Sequence, residues 1–272
     1  MNFKVKLKLE RIDKLHLHEE VIPEMLSKLV NDFKREGIQR DPIIVDENNL
    51  VVLDGMHRVE ALRSLGCKLI AVCLVNYNDP RILVNTWWRT LHGNKSLIYQ
   101  VVRQLNFNFK VKPRNHGLNI RSIKLPAIIL QNEILEFEFN DIYNSHHKMK
   151  LLENHFKNVG FKINYEIESD ALDKLSSNLC DAVIGLPMIS KTNVIEIALT
   201  GKVFPHKSTR HVIPFRPLAI NVPLSILKSE DLRKANEMFI KLLVNKKGKF
   251  LPPQVFRGRK YEEHIYVFED VQ

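Results

Sequence analysis

Phe3, Val5, Leu7 and Leu9 alternate with three lysines and a glutamate at the start of the chain, the period of a strand with one buried face. Beyond the segment LHLHEEVI, Pro23 suits a first helical turn, and Met25, Leu26, Leu29, Val30 and Phe33 recur at helical spacing until Gly37 stops them. Ile43 to Val45 and Leu50 to Leu53 are short strand-like runs around the polar turn DENN. Arg58 to Leu65 reads as a short helix ended by Gly66, and Leu69 to Val75 as a further strand. The stretch RILVNTWWRTL fits either period, so strand and helix both stay open there.

Lys95 to Phe107 reads as helix, and the breaker-rich segment VKPRNHG after it places a domain boundary near residues 108–117. The pattern then predicts a hairpin from Leu125 to Phe139 around QNE, a helix over 141–158, a strand from Phe161 to Ile167 and a helix around Leu172. After the apolar run CDAVIGL come a helix from Ser190 to Leu199, a strand from Leu218 to Val222, a helix capped by Ser229 and an alternating terminal strand, HIYVFED. Mixed strands and helices make this an α/β or α+β chain. Its length of 272 residues suggests two domains, 1–110 and 117–272.

The net charge of +10 calls for an anionic partner without choosing among nucleotide, nucleic acid and surface. Cys67, Cys73 and Cys180 form no CxxC pair, which disfavours a disulfide framework or a zinc site and fits a reducing compartment. No signal-peptide core or long apolar run is present, so a cytoplasmic protein without a membrane span is expected. Only 10 glycines occur, and neither GxxxxGK[ST] nor GxGxxG is among the motifs they make. Phosphates would have to be bound by another device.

The sharpest local signal is DGMHRVEALRSLG, Asp54 to Gly66, where a strand end turns into a helix. Gly55 allows close backbone approach, and the first helical amides together with His57 and Arg58 offer donors to a phosphate. Asp54 could instead simply cap the helix, ligate Mg²⁺ or orient His57. Ser208, Thr209, Arg210 and His211 bring two hydroxyls, a guanidinium suited to a carboxylate or phosphate, and an imidazole. His146 and His147 fall on a polar helix face without metal-pair spacing, and no protein metal site stands out.

Gly55, Arg58 and Ala61 match the GxxRxxA motif of the ParB/sulfiredoxin-like superfamily, and GMHR resembles the sulfiredoxin box. Met56 replaces the cysteine of that box and has no thiol, so sulfiredoxin chemistry is not expected. A closer resemblance is to the free serine kinases, carried by DKLHLHEE, DGMHRVEALRSLGCK, NTWWRTL and STRHVIPFRPLAINVPLSIL in that order. The resemblance implies a ParB/sulfiredoxin-like first domain, a second α/β domain and an active-site cleft between them. It implies phosphoryl transfer from ADP or ATP, with Mg²⁺, to L-serine.

By the same resemblance Glu19 is the base that takes the serine proton, and Gly55, Met56, His57 and Arg58 hold the nucleotide; Asp54, beside that turn, is the other catalytic candidate, by its position there. Trp87, Thr209 and Arg210 are implied as the serine or phosphoserine site, to which His211 is joined as a neighbour. The alternative is a ParB-like, nucleotide-gated DNA-binding regulator, against which stands the lack of a clear helix-turn-helix after the motif.

Overall fold

The computed structural model describes residues 3–114 and 123–270. Helices and several sheets make a mixed α/β fold, packed as two units that are each assembled from separate stretches of chain. The first unit runs up to Leu83 and takes back Lys191–Val203 and the chain from His211 on; the second holds Val84–Ser190 and Phe204–Arg210.

In the first unit, β1 (Lys6–Arg11), α1 (Pro23–Glu36), β2 (Ile38–Gln39), β3 (Ile43–Asp46), β4 (Val52–Asp54), α2 (Met56–Ser64) and β5 (Leu69–Val75) follow in turn. The sheet order is β1-β5-β3-β4, with β3 and β5 parallel and the other pairs antiparallel. All seven residues of β5 are buried, as expected of a central strand covered on both faces. Pro23 occupies the first turn of α1, and Gly37 closes it in the left-handed conformation, φ +68°.

Strand β6 (Leu83–Asn85) carries the chain into the second unit. There β7 (Trp88–His92), α3 (Ile98–Gln104), β8 (Phe109–Pro113), β9 (Ala127–Ile129), β10 (Glu133–Phe137), α4 (Ile142–Asn158), β11 (Lys162–Glu166), α5 (Glu168–Ser176) and β12 (Ala182–Gly185) build one sheet with its helices. The strand order is β11-β7-β12-β9-β10-β8, antiparallel throughout. Period-two alternation sorts its side chains: Leu91, Ile128 and Ile184 join the core with Met149, Leu152 and Phe156, while Trp88, Ile129 and Val183 pack with Ala171 and Leu175. Each fully buried large apolar side chain here contributes about 1.5–3 kcal/mol.

The chain returns with α6 (Lys191–Leu199), and β13 (Arg210–Val212) leads into β14 (Phe215–Leu218), β15 (Val222–Pro223), α7 (Leu224–Leu227), α8 (Leu232–Val244), β16 (Lys246–Leu251), β17 (Gln254–Phe256), β18 (Arg259–Tyr261) and β19 (His264–Asp270). Ile220, Val222, Leu227, Ala235 and Phe239 complete the core that Leu9, Phe33, Ile43 and Val72 begin. Asn236 clips α8 to β1, its Oδ1 accepting from Leu9 N at 2.9 Å and its Nδ2 donating to Leu9 O at 3.3 Å.

The single division expected near residues 108–117 is therefore replaced by a discontinuous one. β8 lies inside the second unit's sheet, paired with β10, and the C-terminal third closes the first unit's core. Residues 115–117 of that expected boundary lie outside the described residues. The tryptophan stretch resolves into strand. The strand expected over Leu218–Val222 is interrupted, because Ala219 and Asn221 take positive φ while their amides donate to Asp41 Oδ1 and Arg40 O. Asp231 rather than Ser229 caps α8, accepting from Lys234 N at 3.0 Å, since the Ser229 hydroxyl already accepts from Asp231 N.

Candidate active site

β4 delivers Asp54 to the start of α2, and Gly55 makes the turn at φ +111°. A Cβ at this position would lie 2.5 Å from Ile43 Cγ2 and 2.9 Å from Arg58 Nη2. Side-chain-free backbone is thus required on both steric and conformational grounds. Gly55→Ala is expected to destabilise the protein by about 2 kcal/mol or more, read as a fall in the denaturant midpoint; an unchanged midpoint would show that the turn tolerates a Cβ.

Arg58 braces this turn. Its Nη1 donates to Pro42 O at 2.8 Å and Asp41 O at 3.2 Å, and its Nη2 to Asp54 Oδ2 at 3.3 Å. The same Asp54 oxygen accepts from Arg216 Nη1 at 2.5 Å, and Arg216 Nε donates to Glu263. The Arg216 side chain is only 6% exposed, so two carboxylates offset a charge that burial alone would not tolerate. Met56 packs against the apolar core.

The segment carrying Glu19 is stitched along β4 to the same turn. His16 exchanges backbone hydrogen bonds with the strand's edge, donating to Leu50 O and accepting from Val52 N. His18 Nδ1 donates to Val52 O at 2.8 Å, and Ile22 N donates to His57 Nε2 at 3.0 Å. Accepting that bond places the proton of a neutral His57 on Nδ1. Glu19 is 7% exposed whereas Glu20 is exposed, so the two acidic neighbours are not an equivalent solvated pair.

His211 is buried in the first unit, its Nε2 sharing a 2.7 Å hydrogen bond with Tyr77 Oη and its ring edge-on to His18 at 5.3 Å. Burial holds both imidazoles neutral: His18 is pushed down to about 4, and His211 well below the ordinary range. Lys191, at the start of α6, donates to the carbonyls of Tyr77 and Asp79 at 2.7 and 2.8 Å.

The second unit gathers Trp87, Lys207, Arg210 and Glu168. Lys207 Nζ sits 4.2 Å from the Trp87 ring centroid and Arg210 Cζ 5.8 Å from it. Arg210 Nη2 meets Glu168 Oε2 at 3.4 Å, and Glu168 Oε1 accepts from Thr86 N at 2.9 Å. Thr209 and Ser208 are buried beside them. Trp88 takes the core role, its Nε1 donating to Leu186 O at 3.3 Å, which leaves half-buried Trp87 as the ring beside the cations. His146 is buried rather than on a polar face: Nε2 donates to Pro187 O at 3.3 Å, so Nδ1 accepts from the Ser208 hydroxyl at 3.0 Å. Burial lowers it to about 3.

Of the sequence-predicted residues, Glu19, Asp54, Gly55, Met56, His57, Arg58 and His211 therefore lie in the first unit, and Trp87, Thr209 and Arg210 in the second. Sequence reasoning missed Arg216, Glu263, His18, Tyr77, Glu168 and Lys207. Arg216 did carry a signal, a charge set within the apolar strand FRPL. Among the described residues no group of three His, Cys, Asp or Glu side chains could hold a metal, and none of the helices is long and apolar enough to cross a membrane.

The buried histidines make stability depend on pH. Each has a lowered pKa in the folded state, so the unfolded chain binds more protons below its ordinary value near 6.5. Their contribution is complete above that value and is lost as pH falls towards about 4 for His18 and about 3 for His146. Denaturant midpoints should be level from pH 8 to 7 and then drop, with a loss of about 2 kcal/mol per histidine by about pH 5. A profile level down to that pH would contradict the buried neutral state.

No protein-family model matches the chain. It is 27% identical over 80% of its length to an ATP-dependent L-serine kinase of Staphylothermus marinus, 89% of which is covered. A ParB-like protein of Sulfolobus acidocaldarius is 26% identical over 74% of this chain and 87% of its own. An ADP-dependent L-serine kinase of Thermococcus kodakarensis is 24% identical over 79% and 90%. Among solved structures, a free serine kinase in complex with AMP superposes with a TM-score of 0.70 at 22% identity, covering 82% of this chain and 94% of that one. The resemblance carried by the four sequence stretches thus extends along most of the chain, and the fold is that of the free serine kinases.

Proposed function

We propose that the chain is a free L-serine kinase that transfers a phosphoryl group from ATP or ADP to the hydroxyl of L-serine, giving O-phospho-L-serine. The observation that carries this reading is the stitching of the Glu19 segment along β4 to the Gly55 turn. It sets a buried carboxylate and a phosphate-receptive helix start in one unit. The similarity to L-serine kinases along four fifths of the chain supports the same reading.

The donor's phosphates lie against the Gly55 backbone and the first amides of α2, where the helix carries about half a positive charge. Arg58 keeps that turn in shape through Asp41, Pro42 and Asp54. The serine hydroxyl is a poor nucleophile until oriented; Glu19 accepts its proton as the oxygen bonds to phosphorus and the nucleotide leaves one phosphate shorter. Trp87, Thr209 and Arg210 hold the amino acid, the guanidinium gripping its carboxylate.

Mg²⁺ supplies charge neutralisation on the transferring group when bound. The carboxylate at the turn that would hold such a cation is Asp54, which also accepts from Arg58 and Arg216. Buried, unbridged Cys67, Cys73 and Cys180 favour a reducing, cytoplasmic setting.

Amino-acid analysis of purified protein incubated with L-serine, Mg²⁺ and either ATP or ADP tests the assignment. O-phosphoserine formed with at least one donor is expected. Serine left unmodified with both would remove it.

A further inference from the structure

We propose that Lys207 is a further substrate-contacting residue, a second cation that clamps, together with Arg210, an anionic group of the amino acid beside Trp87. The inference rests on the serine-kinase reading and adds to it a residue that neither the motif nor the basic charge of the chain singled out.

Four observations within the second unit converge on it. Lys207 is the third residue of a turn closed by Ser208 N donating to Pro205 O at 3.2 Å, and its φ is +64°. That position favours glycine or asparagine, and a lysine there is held in a disfavoured conformation. Its ammonium nevertheless lies 4.2 Å from the Trp87 ring centroid, nearer than the Arg210 guanidinium. The next residue, Ser208, is fixed through its hydroxyl by buried His146, whose other nitrogen is held by Pro187 O. Glu168 in turn holds Arg210 while binding Thr86 N, directly before Trp87 in sequence.

The loop is thus locked from two sides in a shape that costs free energy at Lys207 and places two cations over one aromatic ring. A lysine kept in a glycine-like conformation makes sense where its charge is needed. Lysine acts on carboxylate or phosphate as a point charge, and arginine beside it supplies the planar fork. The ligand chemistry is an α-amino acid carboxylate or its phosphomonoester.

Calorimetric titration of the full chain with L-serine and with O-phospho-L-serine, in wild type, Lys207→Gly and Lys207→Met, tests the clamp. Binding about tenfold weaker is expected in both variants, while the melting temperature of Lys207→Gly stays at or above that of wild type because the strain is relieved. Equal losses for the two ligands assign Lys207 to the carboxylate, and a loss confined to O-phosphoserine assigns it to the phosphate. Wild-type affinity for both ligands in either variant overturns the inference alone. Wild-type protein that binds neither ligand and forms no phosphoserine overturns the serine reading and this inference together.

Discussion

Glu19→Gln is expected to lower turnover by about a hundredfold or more while nucleotide affinity and thermal stability stay close to wild type. Glutamine matches glutamate in size, so the buried position remains filled and the stitched segment keeps its bonds through His16, His18 and Ile22. What is lost is the capacity to accept the hydroxyl proton as the oxygen attacks phosphorus. The check is single-turnover phosphoserine formation alongside a nucleotide titration. Unchanged turnover would remove Glu19 as the base, and joint loss of turnover and nucleotide affinity would make it a binding or structural residue instead.

The largest stability effect is expected at a buried ion pair of the second unit. Arg89 on β7 and Glu153 on α4 form an ion pair of 2.5 Å whose side chains are 1% and 0% exposed. Lys150 Nζ and Tyr165 Oη also reach Glu153 Oε2, at 3.1 and 3.2 Å, and Arg89 Nη1 donates to the Trp87 carbonyl. Glu153→Met leaves Arg89 charged, buried and unpaired, and should cost about 3–5 kcal/mol. The double variant Arg89→Met/Glu153→Met should recover most of that loss, because two apolar side chains restore packing without a stranded charge. Denaturant unfolding of the two variants decides; equal losses in single and double variants would place the stabilisation in the apolar contacts rather than in the pair. Because Arg89 also fixes the Trp87 carbonyl, the double variant should still raise the KM for serine.

Much of the local structure was legible in the sequence because periodicity reports directly on burial. The alternation of β1, the apolar stripe of α1 between Pro23 and Gly37, and the hairpin of β9 and β10 are patterns that a core imposes. The turn at Asp54 to Arg58 was legible from Gly55 together with the donors that follow it. The division into units was not legible, since nothing in a linear pattern says that α8 returns to clip Leu9 through Asn236.

The role of Arg58 was only half visible. Its type suits phosphate, but its donors in fact hold Asp41, Pro42 and Asp54. His211 looked like a partner of Arg210 because it follows it in sequence, yet it lies buried against Tyr77 and His18 in the first unit. Arg216, Glu168 and Lys207 meet partners tens to more than a hundred residues away, distances over which local pattern carries no information.

In the proposed reaction serine's hydroxyl receives the phosphoryl group directly from the nucleotide. Transfer of ³²P from [γ-³²P]ATP, and separately from [β-³²P]ADP, to L-serine by the purified protein with Mg²⁺ tests it most directly. Label recovered in O-phosphoserine, in amount equal to the nucleotide consumed and absent without serine, is the predicted result. Label released as inorganic phosphate at a rate indifferent to serine, or no label transferred from either donor, would contradict it.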